Sequence, residues 1–194
     1  MYLGALEKVG IPKRDVMVHR VEKARDTQEE TKEQFKSALE QFTAVTNFNG
    51  GDLESVYNKL NTEYEASVEQ AEEVRGRIDS IEDVSEALFA EWEDEITQYS
   101  SASLKRSSQR QLTDTKRQYS LLIQAMERAE SKLEPVLVVF KDQVMYLKHN
   151  LNARAISALK SELGGIQSDV SSLITAMEKS IDEANSFINS MENK

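Results

Sequence analysis

The chain has no cysteine, two prolines, two histidines and seven glycines in 194 residues, and aromatics make up only 7% of it. Without cysteine, disulfides, thiolate catalysis and cysteine-bound zinc are excluded, although the absence selects no compartment. So little glycine and proline argues against a loop-rich or all-β chain and favours long helices. No apolar run approaches the ~20 residues that a membrane-spanning helix requires; the longest uncharged one is Val136 to Phe140. Positive charge is also short. Lys and Arg number 24 against 34 Asp and Glu, a formal net charge of −10, which opposes non-specific attraction to DNA or anionic lipid. Met1-Tyr2-Leu3-Gly4 does not read as a secretory signal, having no basic segment followed by an apolar one.

What the chain has in quantity is heptads. In 13–47, Val21, Ala24, Phe35, Ala38, Phe42 and Val45 recur at three- and four-residue steps, with Gln28 and Thr31 filling two slots. In 52–99 the series runs from Leu53 through Ile78 and Leu88 to Tyr99. In 104–149 it runs from Leu112 through Met126 and Phe140 to Leu147, and in 153–192 from Ile156 through Val170 to Met191. Spacing of this kind predicts helices packed lengthwise at shallow angles. The breaks are legible too. Asn47 to Asp52 holds Gly50-Gly51 and offers Asp52 as a helix cap; Tyr99 to Ser103 offers serine caps; Lys148 to Asn152 offers helix-end cations, an Asn150 suited to the left-handed conformation and Asn152 as a cap. Short connections imply antiparallel neighbours. The expected fold is all-α, an elongated antiparallel four-helix bundle with coiled-coil-like heptads. Its helices span about 13–47, 52–99, 104–149 and 153–192, in a single domain over 13–194, with 1–12 as an N-terminal tether or arm. The alternative is a three-helix hairpin in which the third and fourth helices run on through Asn150 and Asn152.

The most apolar stretch, EPVLVVFKDQVMYLKH at 134–149, places apolar residues at heptad positions a, d, e and g. A stripe that wide suits a helix touched by neighbours on two sides, hence a four-helix cross-section. Pro135 falls at an outward position, where the expected cost is a bend. Val138 and Met145 both fall on the outer face, which makes them a candidate partner contact. Gly164 and Gly165 join them: inside a helix each costs about 1 kcal/mol relative to alanine, and they face outward, as a local bend, a hinge or a place where another chain approaches.

Charge is unevenly spread. Residues 52–95 hold 15 Asp or Glu against three Lys or Arg, and residues 104–149 hold nine bases against five acids. In an antiparallel hairpin Glu93 is expected near Arg110 and Glu86 near Arg117. The basic cluster Lys105, Arg106, Arg110, Lys116 and Arg117 then has the Glu91–Glu95 segment as its expected partner, and no nucleic acid is expected; no aromatic residues interleave the bases as a single-strand binder requires. Glu95 occupies an apolar slot that Ile96 is expected to take over.

No catalytic constellation emerges. Di-iron bundles use Glu-x-x-His, but the residues three before His19 and His149 are Val16 and Tyr146. There is no phosphate-binding loop, and no lysine follows Gly164-Gly165. His149 reads as a helix-end cation. The expectation is a non-enzymatic scaffold or protein-interaction module without catalytic residues, cofactor or metal. Its partner is an unidentified protein, a second copy of the chain included. The alternative is lipid or membrane-surface binding by rearranging amphipathic helices, with Met126, Met145 and Met177 supplying plasticity; a hydrolase or metal enzyme ranks last.

Three blocks carry a resemblance. Ala5-Leu6-Glu7-Lys8-Val9-Gly10-Ile11 with Lys13-Arg14-Asp15 and Arg20-Val21-Glu22, then Glu86-Ala87-Leu88-Phe89-Ala90-Glu91-Trp92-Glu93, then Tyr146-Leu147-Lys148-His149-Asn150-Leu151-Asn152-Ala153 resemble a family of unknown function found mainly in Gram-negative bacteria. The similarity spans essentially the whole chain. Family members typically carry a lipoprotein-type signal just before the region matching Tyr2-Leu3-Gly4-Ala5. The resemblance therefore implies a periplasmic or outer-membrane-tethered protein that meets the membrane only through a lipid anchor outside these residues. Some relatives are described as DNA-repair ATPases, a role that the missing phosphate-binding loop does not support. The family supplies no catalytic residues to carry over.

Overall fold

Residues 12–192 are described by the computed structural model, so the expected arm over 1–12 lies outside the described residues except for Pro12. Helices follow the heptads: α1 (Lys13–Thr46), α2 (Leu53–Gln98), α3 (Ala102–Glu130), α4 (Leu133–His149) and α5 (Ala153–Glu192). At 1.5 Å per residue the 46 residues of α2 extend ~69 Å. α1 packs on α2 and α5, and α3 with α4 closes the other side against the same two helices. The result is an elongated antiparallel four-helix bundle, with α3 and α4 together forming the third rod.

Each connection has a local cause. Gly50 and Gly51 carry φ of +142° and +116°, a region open to glycine, and the Asp52 carboxylate then accepts from the Ser55 backbone N–H at 3.2 Å. Ser101 caps α3 through Leu104 N–H at 3.4 Å. Asn152 caps α5, its side-chain oxygen accepting from Arg154 N–H at 3.0 Å and Ala155 N–H at 3.1 Å. That cap ends the alternative with continuous third and fourth helices, because α4 closes at His149 and α5 starts afresh at Ala153. Asn150 departs from expectation as well, with φ −136° rather than a left-handed value.

The third rod is interrupted. It was expected to be unbroken over 104–149, yet Ser131 and Lys132 form a turn between α3 and α4. Pro135 is the reason. It has no N–H to offer the Ser131 carbonyl, and its ring crowds that oxygen. The chain tightens instead, Lys132 N–H donating to the Ala129 carbonyl at 3.2 Å, and restarts with Pro135 in the first turn of α4, where a missing N–H costs little. The heptad phase survives: Ala129, Leu133, Val136 and Phe140 are all buried. Arg75 of α2 clamps the break from outside, Nε reaching Glu130 at 2.8 Å and Nη2 reaching Glu134 at 3.0 Å.

One seam runs through the bundle. Phe140 stacks between Phe35 and Phe42 of the diagonally opposite α1, with ring centroids 6.3 and 6.4 Å away. Lower down, Phe89 meets the edge of Tyr119 at 5.4 Å, and the Trp92 indole N–H donates to Ser108 Oγ at 2.8 Å. The polar slots foreseen in α1 are real. Thr31 donates to the Thr27 carbonyl at 2.7 Å and meets Gln70 at 3.0 Å. Gln28 is different: it is 1% exposed, and neither its amide nitrogen nor its oxygen has a hydrogen-bond partner. Ser180 Oγ on α5 is also buried and unpartnered. As anticipated, Ile96 is buried and Glu95 exposed. Ile156, expected in the seam, is only half-buried because Ala155 takes the inward position.

Candidate functional site

The four candidate contact residues lie on adjacent helices. Val138 and Met145 stand on α4 at 47% and 55% exposure, joined by Tyr146 at 41%. The remaining apolar residues of this helix, Val136, Leu137, Phe140, Val144 and Leu147, are buried, and Val139 is half-buried. Seven residues span about 10 Å of helix, so Val138 and Met145 make one short apolar strip. Gly164 and Gly165 are exposed on α5, and a Cβ built at either meets nothing within 4 Å. Close packing inside the molecule therefore does not explain them. Met126 and Met177, weighed for plasticity, are fully buried.

Charge pairing meets expectation in part: the acidic segment does engage the basic cluster, through Lys116, but the individual partners differ. Glu93 pairs with Lys116 rather than Arg110, and Arg117 pairs with Asp114 on its own helix at 3.0 Å rather than with Glu86. Phe89 against Tyr119 and Trp92 against Ser108 fall on either side of the pairing that a symmetric turn would give, so side-chain reach decides the individual partners. Lys116 also lies 5.5 Å from the centre of the Phe89 ring. Arg106 and Arg110, expected to face the acidic segment, are exposed and line a shallow groove with Gln109, Thr113 and Asp114. Of the histidines, His149 is exposed at the end of α4, and His19, for which the sequence offered no partner, lies 3.7 Å from Glu22.

Two grooves flank α3 with opposite chemistry. Toward α2, Asp79, Glu82, Glu127 and Glu130 gather around Arg75. Burial, and then the neighbouring charges of Glu127, Asp79 and Asp83, raise the Glu82 carboxyl above its ordinary value of 4.5. Burial also raises Tyr119, partly offset by Ser85, with Glu82 and Glu127 adding to the rise. Toward α5 a groove of about 610 Å³ is lined by Arg128, Lys132 and Lys179 together with serines and threonine of α5. The sequence carried a signal for this second groove, since Ser168, Ser171, Ser172, Thr175 and Lys179 repeat at helical spacing on one face. Which cations would face that strip depended on the register and on the break at Ser131, and neither was fully readable. Among the described residues no cluster of three or more His, Asp or Glu is placed to hold a metal ion, and no helix is long and apolar enough to cross a membrane.

These features define a class, elongated all-α bundles whose interior is filled by side chains and whose distinguishing chemistry lies on outer faces. Within it the chain belongs to the DUF2959 family, proteins of unknown function, whose profile matches residues 2–191. No curated protein matches the chain.

Proposed function

We propose that the chain is a non-enzymatic helical scaffold, a protein-interaction module that presents the outer face of α4 to a partner protein at the bacterial cell envelope. The envelope location rests on the resemblance to lipoprotein-like relatives. The observation carrying the interaction is the outward standing of Val138, Met145 and Tyr146 on a helix whose other apolar side chains, half-buried Val139 apart, are closed into the seam. Exposed apolar side chains at this spacing resemble the anchors by which helices are recognised in grooves or by another helix. The test combines mass and proximity. Val138→Asp with Met145→Lys is expected to leave the helical content intact and to abolish any concentration-dependent rise in mass seen by light scattering. A photoreactive residue at position 145 is expected to crosslink to one reproducible protein in an envelope fraction, and the same group at exposed Glu192 is not. Equal labelling from both positions, with an unchanged mass, sinks the α4 contact.

A further inference from the structure

The groove between α3 and α5 brings together Arg128 at the end of α3, Lys132 in the break and Lys179 of α5. Lys132 Nζ donates to Ser172 Oγ at 3.0 Å. Among the described residues none of the three cations is in an ion pair, and no carboxylate lines the groove. Lys and Arg without an ion pair are common on this surface; what sets these three apart is that they share one groove lined by no carboxylate. The acids adjoining Arg128 in sequence are turned elsewhere: Glu130 holds Arg75, and Glu127 is close enough to Glu82 to raise its carboxyl. At its C-terminal end α3 thus sends Glu127 and Glu130 toward α2 and Arg128 toward α5.

Three like charges around one open groove repel one another, and a multivalent anion relieves that repulsion while forming charge-assisted hydrogen bonds. The hydroxyls of Ser168 and Ser172 add neutral donors beside the cations, while Thr175 already donates to the Ser171 carbonyl at 3.0 Å. A single carboxylate offers one negative charge, whereas a phosphate or pyrophosphate group offers two or more. The groove volume, about 610 Å³, falls among those of small-molecule sites. We infer that the α3–α5 groove binds a phosphate-bearing ligand, with Arg128, Lys132 and Lys179 holding the anion and the α5 hydroxyls orienting it. The inference is independent of the α4 contact, which lies outside this groove.

The same phosphate chemistry is offered by a soluble compound and by a lipid headgroup, and two arms separate them. In the first, the full chain is titrated with inorganic pyrophosphate while the amide shifts of 125–132 and 168–179 are followed. In the second, it is sedimented with phosphatidylcholine vesicles with and without phosphatidic acid. Each arm is repeated with Lys132→Gln plus Lys179→Gln, with Ser172→Asp, and with Arg106→Gln plus Arg110→Gln as a basic control elsewhere on α3. All these positions lie on the surface or at its edge, and circular dichroism verifies the fold. A saturable pyrophosphate response, weakened about tenfold or more by either groove variant and changed less than about twofold by the control, establishes the site for a soluble phosphate. Binding confined to phosphatidic acid vesicles, with the same pattern of loss, assigns it to a headgroup. No response in either arm, or equal loss in the groove variants and the control, overturns the site.

Discussion

Gln28 is the residue most at odds with its surroundings. Its amide is shut inside the seam with both polar atoms unpartnered, and an unsatisfied buried amide costs about 1–3 kcal/mol. Methionine has nearly the same shape and no hydrogen bonds to lose. Gln28→Met is therefore expected to raise the unfolding free energy by about 1–2 kcal/mol, read from the midpoint of urea denaturation at an unchanged slope. A fall in the midpoint shows instead that the amide is satisfied in solution. The location of Gln28 was legible in the heptad, since the apolar beat of α1 passes directly over it. Its lack of a partner was not, because that depends on which side chains α2 and α5 bring to the same level. The serines of these helices show the difference: Ser67 satisfies itself on the Glu63 carbonyl at 2.7 Å, while Ser180 finds nothing.

At the level of elements, helix existence and capping were readable because both are local. Asp52, Ser101 and Asn152 each accept the backbone N–H that their position in the sequence implied. The interruption of the third rod was half legible: Pro135 announced a disturbance, but whether a helix bends or breaks depends on what holds the two pieces. Arg75 does so by bridging Glu130, the last residue of α3, and Glu134, near the start of α4. Both pairs are partly exposed and screened, so Arg75→Ala is expected to cost only about 0.5–1.5 kcal/mol in total, but to speed hydrogen exchange locally over 131–137. Uniform acceleration throughout the bundle contradicts a local clamp. The acidic groove on the same side of α3 gives a second expectation at this scale. Because the folded state raises the Glu82 carboxyl, its charged form is disfavoured there, and stability is lost as pH rises through the folded value. Below the ordinary value of 4.5 that penalty is absent. Glu82→Gln is thus expected to raise Tm at pH 7 by about 1–2 °C, a modest figure because the site is largely solvated, and to leave Tm unchanged near pH 4. A gain of equal size at both pH values shows that charge is not the cause.

For the whole molecule, the antiparallel arrangement followed from three short connections and a stripe wide enough for two neighbours, and the bundle has that form. Register between helices did not follow. Glu93 meets Lys116 rather than Arg110, since buried contacts such as Phe89 on Tyr119 and Trp92 on Ser108 hold α3 against α2 and exposed ion pairs are too weak to choose their own partners. The Gly164-Gly165 pair bears on how the rod behaves as one body. It lies within an uninterrupted α5, so nothing in the backbone demands glycine there, and the space beside each Cα is open. Alanine at both positions is expected to add about 1–2 kcal/mol to the unfolding free energy by restricting the unfolded chain and favouring helix, with the maximum dimension by small-angle X-ray scattering unchanged. If the pair instead lets a second chain approach α5, the same variant gains stability as a monomer but loses association, because the added methyl groups hold the two backbones apart. Scattering mass measured across a concentration series beside the denaturation curve separates these outcomes. A loss of monomer stability contradicts both, since it requires at 164–165 a backbone strain that a regular helix does not contain.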